Sequence, residues 1–236
     1  MQLEGFERRV AVVTGAAQGI GSRICETLVA QGAAVAGLDL NQPALPGVLG
    51  LAADVTDPDS VDAAFGAVEE QLGAPVILVL NAGVFIVEPF AETSAANWRR
   101  TLDVNLTGAF HCAQRALPGM VAAGYGRLVT IGSSAGITGG ASSCAAYAAS
   151  KAGAMCLAKS IANEYARHGI TSNALAPALI DTAMMAEQPA GVEQRIPVGR
   201  LGTAQEVADL VAYLASGHAG FVTGEVVDIN GGFLVD

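Results

Sequence analysis

Seven short apolar runs that do not alternate with polar residues constrain the fold of this chain more than any other feature. They fall at Val10 to Val13, Ala34 to Leu38, Leu49 to Ala53, Val76 to Leu80, Arg127 to Ile131, Ile170 to Ala174 and Val226 to Ile229. A strand with one wet face alternates, whereas a strand covered on both faces reads as a continuous apolar run. Between the runs, Ile20 to Gln31, Asp59 to Leu72, Ala95 to Ala123, Ala145 to His168 and Ala204 to Ala215 carry helical periodicity. Strand, helix, strand repetition with right-handed crossovers predicts an α/β fold: a doubly wound parallel sheet in a three-layer sandwich. The 236 residues suit one large domain spanning residues 1–236, with no repeat or linker.

Local signals agree with this reading. Thr56-Asp57-Pro58-Asp59 has the chemistry of a helix start, and Thr203-Ala204-Gln205-Glu206 has the spacing of a capping box. From Asp39 to the run at Leu49 the chain holds two prolines and a glycine, so a full crossover helix barely fits.

The sequence is 52% hydrophobic and 14% charged, which implies extensive burial, part of it between subunits. The two longest helices are rich in Ala, Leu and Met, as suits packing between copies. No apolar run approaches the roughly 18 residues of a membrane span, and the first residues lack the apolar core of a signal peptide. A cytoplasmic protein without a membrane partner is expected. The net charge is −10, and from Ile24 to Trp98 there are ten Asp and Glu but no Lys or Arg. Such a surface repels phosphate backbones, which argues against nucleic acid. Cys25, Cys112, Cys144 and Cys156 lack ligand or secretory spacing and read as small buried thiols. His111, His168 and His218 likewise lack ligand spacing, so no metal is expected. Trp98, Arg99 and Arg100 read as packing and solvation, and Met184-Met185 as an adaptable apolar lid or a core contact.

Two motifs carry chemistry. Thr14-Gly15-Ala16-Ala17-Gln18-Gly19-Ile20-Gly21 follows the first strand and opens a helix. Its glycines let the backbone approach a pyrophosphate, which the amides of the helix start then receive. Asp39 ends the second strand about 20 residues on, where a carboxylate accepts bonds from ribose hydroxyls and repels a 2′-phosphate. With no Lys or Arg nearby, NAD is favoured over NADP. Asp54-Val55 ends the third strand, where it could meet an adenine edge, and Asn81-Ala82-Gly83 ends the fourth with a small, approachable backbone. The second motif is Tyr147-Ala-Ala-Ser-Lys151, whose ends share a helix face. A free phenol, with a pKa near 10, is a poor proton relay, and a fixed cation beside it favours the ionised form. Ser134, thirteen residues earlier at a strand end, can bond a substrate oxygen. Together these features point to hydride transfer at a carbon bearing oxygen.

The glycine turn, Asn81-Ala82-Gly83, Asn105, Ser134, Tyr147 and Lys151 stand in the order and approximate spacing of the short-chain dehydrogenase/reductase family, which the chain resembles over essentially its whole length. Asn173-Ala-Leu-Ala-Pro177, Ile180-Asp-Thr182, Pro197-Val-Gly-Arg200 and Asp228-Ile-Asn-Gly231-Gly232 are similar to that family's late segments. The resemblance implies a Rossmann-type fold and an NAD(H)-dependent oxidoreductase that interconverts a secondary alcohol and a ketone. It makes Tyr147 the acid or base, Ser134 the residue that orients the carbonyl, and Asn105 the holder of a relay water. Lys151 would bind the nicotinamide ribose and lower the phenol pKa. Ile180 and Thr182, after Pro177, would contact the carboxamide. A homotetramer is implied as well.

Some positions depart from the pattern. Leu80 stands where the family often has a second Asn, and Ala178 where Gly is usual. The nearest resemblance is to 3-oxoacyl-(acyl carrier protein) reductases and similar alcohol dehydrogenases. Those reductases present basic residues before the glycines matching Gly126 and Gly169, where this chain has Tyr125 and His168. A free small alcohol or ketone is therefore at least as good a substrate as a carrier-bound one.

Two other readings compete. Gly132-Ser133-Ser134-Ala135-Gly136 fits a hydrolase elbow, with Asp209 and His218 in the right order, but the residues that follow are a poor helix start. A catalytically silent, dinucleotide-binding sensor or scaffold is the other, against which the intact Ser134, Tyr147, Lys151 and Asn105 argue.

Overall fold

A computed structural model describes residues 3–140, 143–183 and 191–235. Met184 and Met185, read above as a lid, lie outside the described residues.

All seven expected strands form, as β1 (Val10–Thr14), β2 (Ala34–Asp39), β3 (Val48–Ala52), β4 (Pro75–Leu80), β5 (Gly126–Ile131), β6 (Ile170–Pro177) and β9 (Val226–Ile229). They make one sheet in the order β3-β2-β1-β4-β5-β6-β9, with every neighbouring pair parallel. A two-stranded parallel ladder of β7 (Ile180–Asp181) and β8 (Gly202–Thr203) was not anticipated. The core shows why the runs do not alternate. On β1, Ala11 and Val13 pack with Ile24, Leu28, Val207 and Val211 of α1 (Gly19–Ala30) and α7 (Ala204–Ala215). Val10 and Val12 pack on the other face with Phe65, Val68, Cys112 and Met120 of α2 (Pro58–Gln71) and α4 (Gly108–Ala123). Both faces of the sheet are therefore dry.

The two expected caps are present. Asp57 accepts from the Asp59 amide with Pro58 at the first helical position, and Thr203 and Glu206 close a reciprocal capping box. No helix lies between β2 and β3, as the proline-rich link implied.

Two helical expectations need correction. The stretch Ala95 to Ala123 divides into α3 (Ala95–Leu102), a π turn (Asp103–Thr107) and α4. Such a turn inserts one residue without ending the helix, so apolar periodicity does not reveal it. Ala145 to His168 is α6 (Ala145–Tyr165) followed by a short 3₁₀ turn (Ala166–His168). A four-residue helix, α5 (Ala135–Thr138), also follows Ser134, where a poor helix start was expected. Cys25, Cys112 and Cys144 are buried as expected, but Cys156 is exposed. Among the described residues no helix is long and apolar enough to cross a membrane.

Candidate active site

The strand order reverses between β1 and β4, so their carboxyl ends splay around a crevice where open α/β sheets bind ligands. The glycine turn lies on one wall and residues 81–83 on the other. Gly15 has φ +65°, and a Cβ there would stand 2.8 Å from Ala82 Cα. A Cβ on Gly21 would stand 2.0 Å from the Gly15 carbonyl oxygen, so α1 can start this close to the turn only without a side chain. Asn81 fastens the two walls: its Nδ2 donates to the carbonyls of Thr14 (3.0 Å) and Gly15 (2.9 Å). The amides of Asn81 and Ala82 donate in turn to Thr14 Oγ1, each at 3.0 Å. Gln18, exposed, precedes the first residue of α1, and Ile20 lies half-buried in its first turn.

Asp39 reaches back to this turn, where its Oδ2 accepts from the Ala17 amide at 3.0 Å and its Oδ1 from the Asn41 amide at 3.2 Å. Thr182 is brought over the turn from the other side, its Cγ2 lying 3.8 Å from where a Gly19 Cβ would be. Ile180 is buried, and Pro177, at the end of β6, accepts from the Ser134 amide. Asp54 is spent locally: Oδ1 accepts from the amide (2.8 Å) and hydroxyl (2.7 Å) of Thr56. Val55 is buried against Gly108, where an added Cβ would come within 2.6 Å of its Cγ2.

The reacting end is formed by α6, the loop after β5 and the π turn. Tyr147 and Lys151 do share one face of α6, but their electrostatics differ from the expectation. Lys151 is 5% exposed and its Nζ donates to the Ile131 carbonyl at 2.7 Å. Burial lowers its pKa to about 8. The Nζ lies 5.8 Å from the Tyr147 ring centroid, and the phenol pKa is raised, chiefly by burial, with the Ser133 hydroxyl opposing and Cys144 adding to the rise. Desolvation thus sets the direction here, and Tyr147 holds its proton at neutral pH.

The hydroxyl set beside the phenol is that of the adjacent serine. Ser133, not Ser134, is the hydroxyl that acts on the Tyr147 phenol. Ser134 is buried too, but it begins the turn into α5, its amide bonded to Pro177 and its carbonyl accepting from Thr138. Counting residues back from the tyrosine could not separate two adjacent serines, because the choice depends on how the chain leaves β5.

Asn105 sits in the π turn, 2% exposed. Its Oδ1 accepts from the Val84 amide at 2.8 Å, and its Nδ2 donates to the Val84 carbonyl at 3.0 Å and to Ser150 Oγ at 2.9 Å. The side chain is committed to clamping the strand β4 exit onto α6. Gly83 closes the group, since a Cβ there would be 3.3 Å from Asn105 Oδ1 and 3.4 Å from Lys151 Nζ. Phe85 was not anticipated; its ring meets Tyr147 edge-on at 4.8 Å between centroids. Ser150, also unanticipated, donates to the Tyr147 carbonyl at 2.8 Å. Both sit within an apolar stretch or a small-residue helix face that carried no separate signal.

The hydrolase arrangement does not assemble. Asp209 accepts from Gln205 on α7, and His218 accepts from the Glu4 amide. The adjoining Ser216 carbonyl accepts from Arg127 at the start of β5, the end of the strand opposite Ser134. The Ser134 backbone, at φ −55° and ψ −27°, is relaxed helix rather than a strained elbow.

A family model described as enoyl-(acyl carrier protein) reductase matches residues 15–234. The chain belongs to the short-chain dehydrogenase/reductase family. It is 39% identical to 3-oxoacyl-[acyl-carrier-protein] reductase FabG of Salmonella typhimurium, over 96% of this chain and 98% of that one. It is 42% identical to cis-4-hydroxycyclohexanecarboxylate dehydrogenase of Sinomonas cyclohexanicum, over 98% of each. The solved structure of Thermoplasma acidophilum aldohexose dehydrogenase superposes with a TM-score of 0.90 at 33% identity, over 97% of this chain and 96% of that one. This short-chain dehydrogenase/reductase is an oxidoreductase that acts on CH-OH groups, a secondary alcohol or its ketone, with a nicotinamide dinucleotide.

Proposed function

We propose that the protein interconverts a free, small secondary alcohol and its ketone with NAD(H), using Tyr147 as the proton donor and acceptor. The observation that carries this reading is the half-buried Tyr147 phenol, with its pKa raised by desolvation and Ser133 beside it, on the helix face that also holds Lys151 next to Gly83 and Asn105.

The residues present fit the dinucleotide. Gly15 and Gly21 stand where a Cβ would collide, the first amides of α1 open onto the turn, and the carboxylate of Asp39 is tied to that turn. Gly15, Gln18, Gly19, Ile20 and Gly21 would hold the pyrophosphate, with Asp39 on the adenosine ribose. Val55 and the Asp54 backbone would line the adenine, while Asn81, Ala82, Gly83, Pro177, Ile180 and Thr182 would line the rest of the groove. A nicotinamide held there would supply the hydride donor or acceptor for the substrate carbon. A phenol that keeps its proton is ready to donate it to the substrate oxygen during reduction. In the oxidising direction the same group must first give that proton up, and Lys151, charged below about pH 8, stabilises the phenolate as it forms. Ser133 orients the carbonyl oxygen towards the phenol, the role that Ser134 was expected to fill.

Asp39 supports NAD over NADP, because a 2′-phosphate would meet its carboxylate with no Lys or Arg from Ile24 to Trp98 to offset it. A free substrate is supported by Tyr125 and His168, which occupy the two positions where carrier-protein reductases present basic residues to an acidic carrier, and by the acidic balance of this chain. A single domain, a homotetramer and a cytoplasmic location complete the reading. The exposed Trp98 and Phe110, on the helices flanking the π turn, support association between copies.

The test is a screen of alcohols and ketones, followed by the absorbance of the reduced nicotinamide with each dinucleotide. Tyr147→Phe should lower turnover by about 10²–10⁴-fold while NADH affinity is retained. Full activity in that variant would refute the assignment, and NADH binding without turnover across the panel would favour the silent sensor.

A further inference from the structure

At the end of the sheet opposite the glycine turn, two guanidiniums gather around one ring. Arg9, just before β1, places its Cζ 3.7 Å from the Tyr125 centroid, and Arg127, in β5, places its Cζ 4.1 Å from the same centroid. Arg127 is 6% exposed; its Nε and Nη1 donate to the carbonyls of Ser216, Gly126 and Gly169. Among the described residues neither arginine forms an ion pair with a carboxylate. Glu4 enters this corner through its backbone, donating to His218 and accepting from the Gly217 amide. Cationic charge is thus concentrated where water is scarce and no carboxylate among the described residues pairs with it, a costly arrangement that arginine cannot relieve by losing its proton.

The same corner also holds buried hydrogen-bonding atoms without partners: Arg9 Nη1, Tyr125 OH and Thr171 Oγ1. Thr171 is 6% exposed and stands beside Arg127 in the β5–β6 register. Glycines line the corner. A Cβ on Gly5, at φ +100°, would lie 2.9 Å from Arg9 Nη1, and one on Gly220 would lie 3.6 Å from Arg127 Nη2. One guanidinium nitrogen of Arg9 and the hydroxyls of Tyr125 and Thr171, all short of acceptors, beside the Arg127 cation, form a donor set that a planar or tetrahedral oxyanion satisfies. We propose that Arg9, Tyr125, Arg127 and Thr171 form a binding site for one small oxyanion, a carboxylate or phosphoryl group, remote from the dinucleotide groove.

Calorimetry on the full chain with saturating NADH, which occupies the glycine turn, tests this. Inorganic phosphate and acetate are titrated separately at constant ionic strength made up with chloride. One saturable site per chain for either anion is expected, with phosphate alone marking a phosphoryl ligand and acetate alone a carboxylate. Arg9→Gln and Thr171→Val should each weaken that binding about tenfold or more, with NADH affinity unchanged as the sign of an intact fold. Should Arg9→Gln fail to fold, Thr171→Val decides. Lack of saturable binding by both anions, or binding indifferent to Thr171→Val, would overturn the proposal.

Discussion

Replacing Lys151 by Met asks whether the site keeps a cation where water cannot solvate it. Burial brings the Lys151 pKa from 10.5 down to about 8. Between those values the unfolded chain still carries the proton that the folded protein has released, so the unfolded state binds more protons and stability rises with pH. Below pH 8 both states are protonated and the charge is held at a cost; above 10.5 that cost is gone. The whole difference corresponds to roughly 3 kcal/mol, of which about 1.4 kcal/mol should appear by about pH 9, one decade above the folded pKa. Lys151→Met has no such titration. Urea unfolding of the apoprotein at fixed concentration, from about pH 7 to about pH 9, should therefore show wild type gaining about 1.4 kcal/mol on the variant. Cys25 and Cys112, whose thiols burial pushes up to about 12, titrate alike in both proteins and cancel. A difference that stays flat across this range would mean that Lys151 is solvated, and the electrostatic account of the site would fall with it.

Other consequences can be measured directly. Ser133→Ala should reduce turnover by about 10²–10³-fold, as loss of a donor to the reacting oxygen does, while Ser134→Ala costs far less; the reverse ranking would restore Ser134 to the role. Asp39→Asn keeps an acceptor for the Ala17 amide but removes the charge, so the preference for NAD over NADP should shrink about tenfold in kcat/KM, and unchanged discrimination would refute the ribose assignment. Gly21→Ala forces a methyl against the Gly15 carbonyl, with no flexible side chain to give way, and should destabilise the fold by about 1–3 kcal/mol and weaken NADH binding; unaltered thermal unfolding and affinity would show that the turn adapts.

The architecture was legible in the sequence because it rests on local periodicity. Runs such as Val10 to Val13 are apolar at every position since successive side chains enter different cores, and that pattern survives in one dimension. The glycine turn was legible for a related reason: only glycine tolerates the approach of Ala82 to Gly15 and of Gly15 to Gly21. Caps at Asp57 and Thr203 depend on residues two or three apart and were readable too.

What the tertiary structure decided lies in distances between segments remote in sequence. Whether Ser133 or Ser134 meets the tyrosine depends on how the chain turns out of β5 against α6. The π turn at Asn105 is set by packing against Val84 and Ser150, which lie 21 and 45 residues away. Spacing put Tyr147 and Lys151 on one helix face, but the sign of their pKa shifts came from burial beneath neighbouring elements, a quantity with no trace in the order of residues. Propensity and pattern act over a few residues and are written along the chain; desolvation and side-chain direction are sums over three-dimensional neighbours, and exist only once the layers have closed.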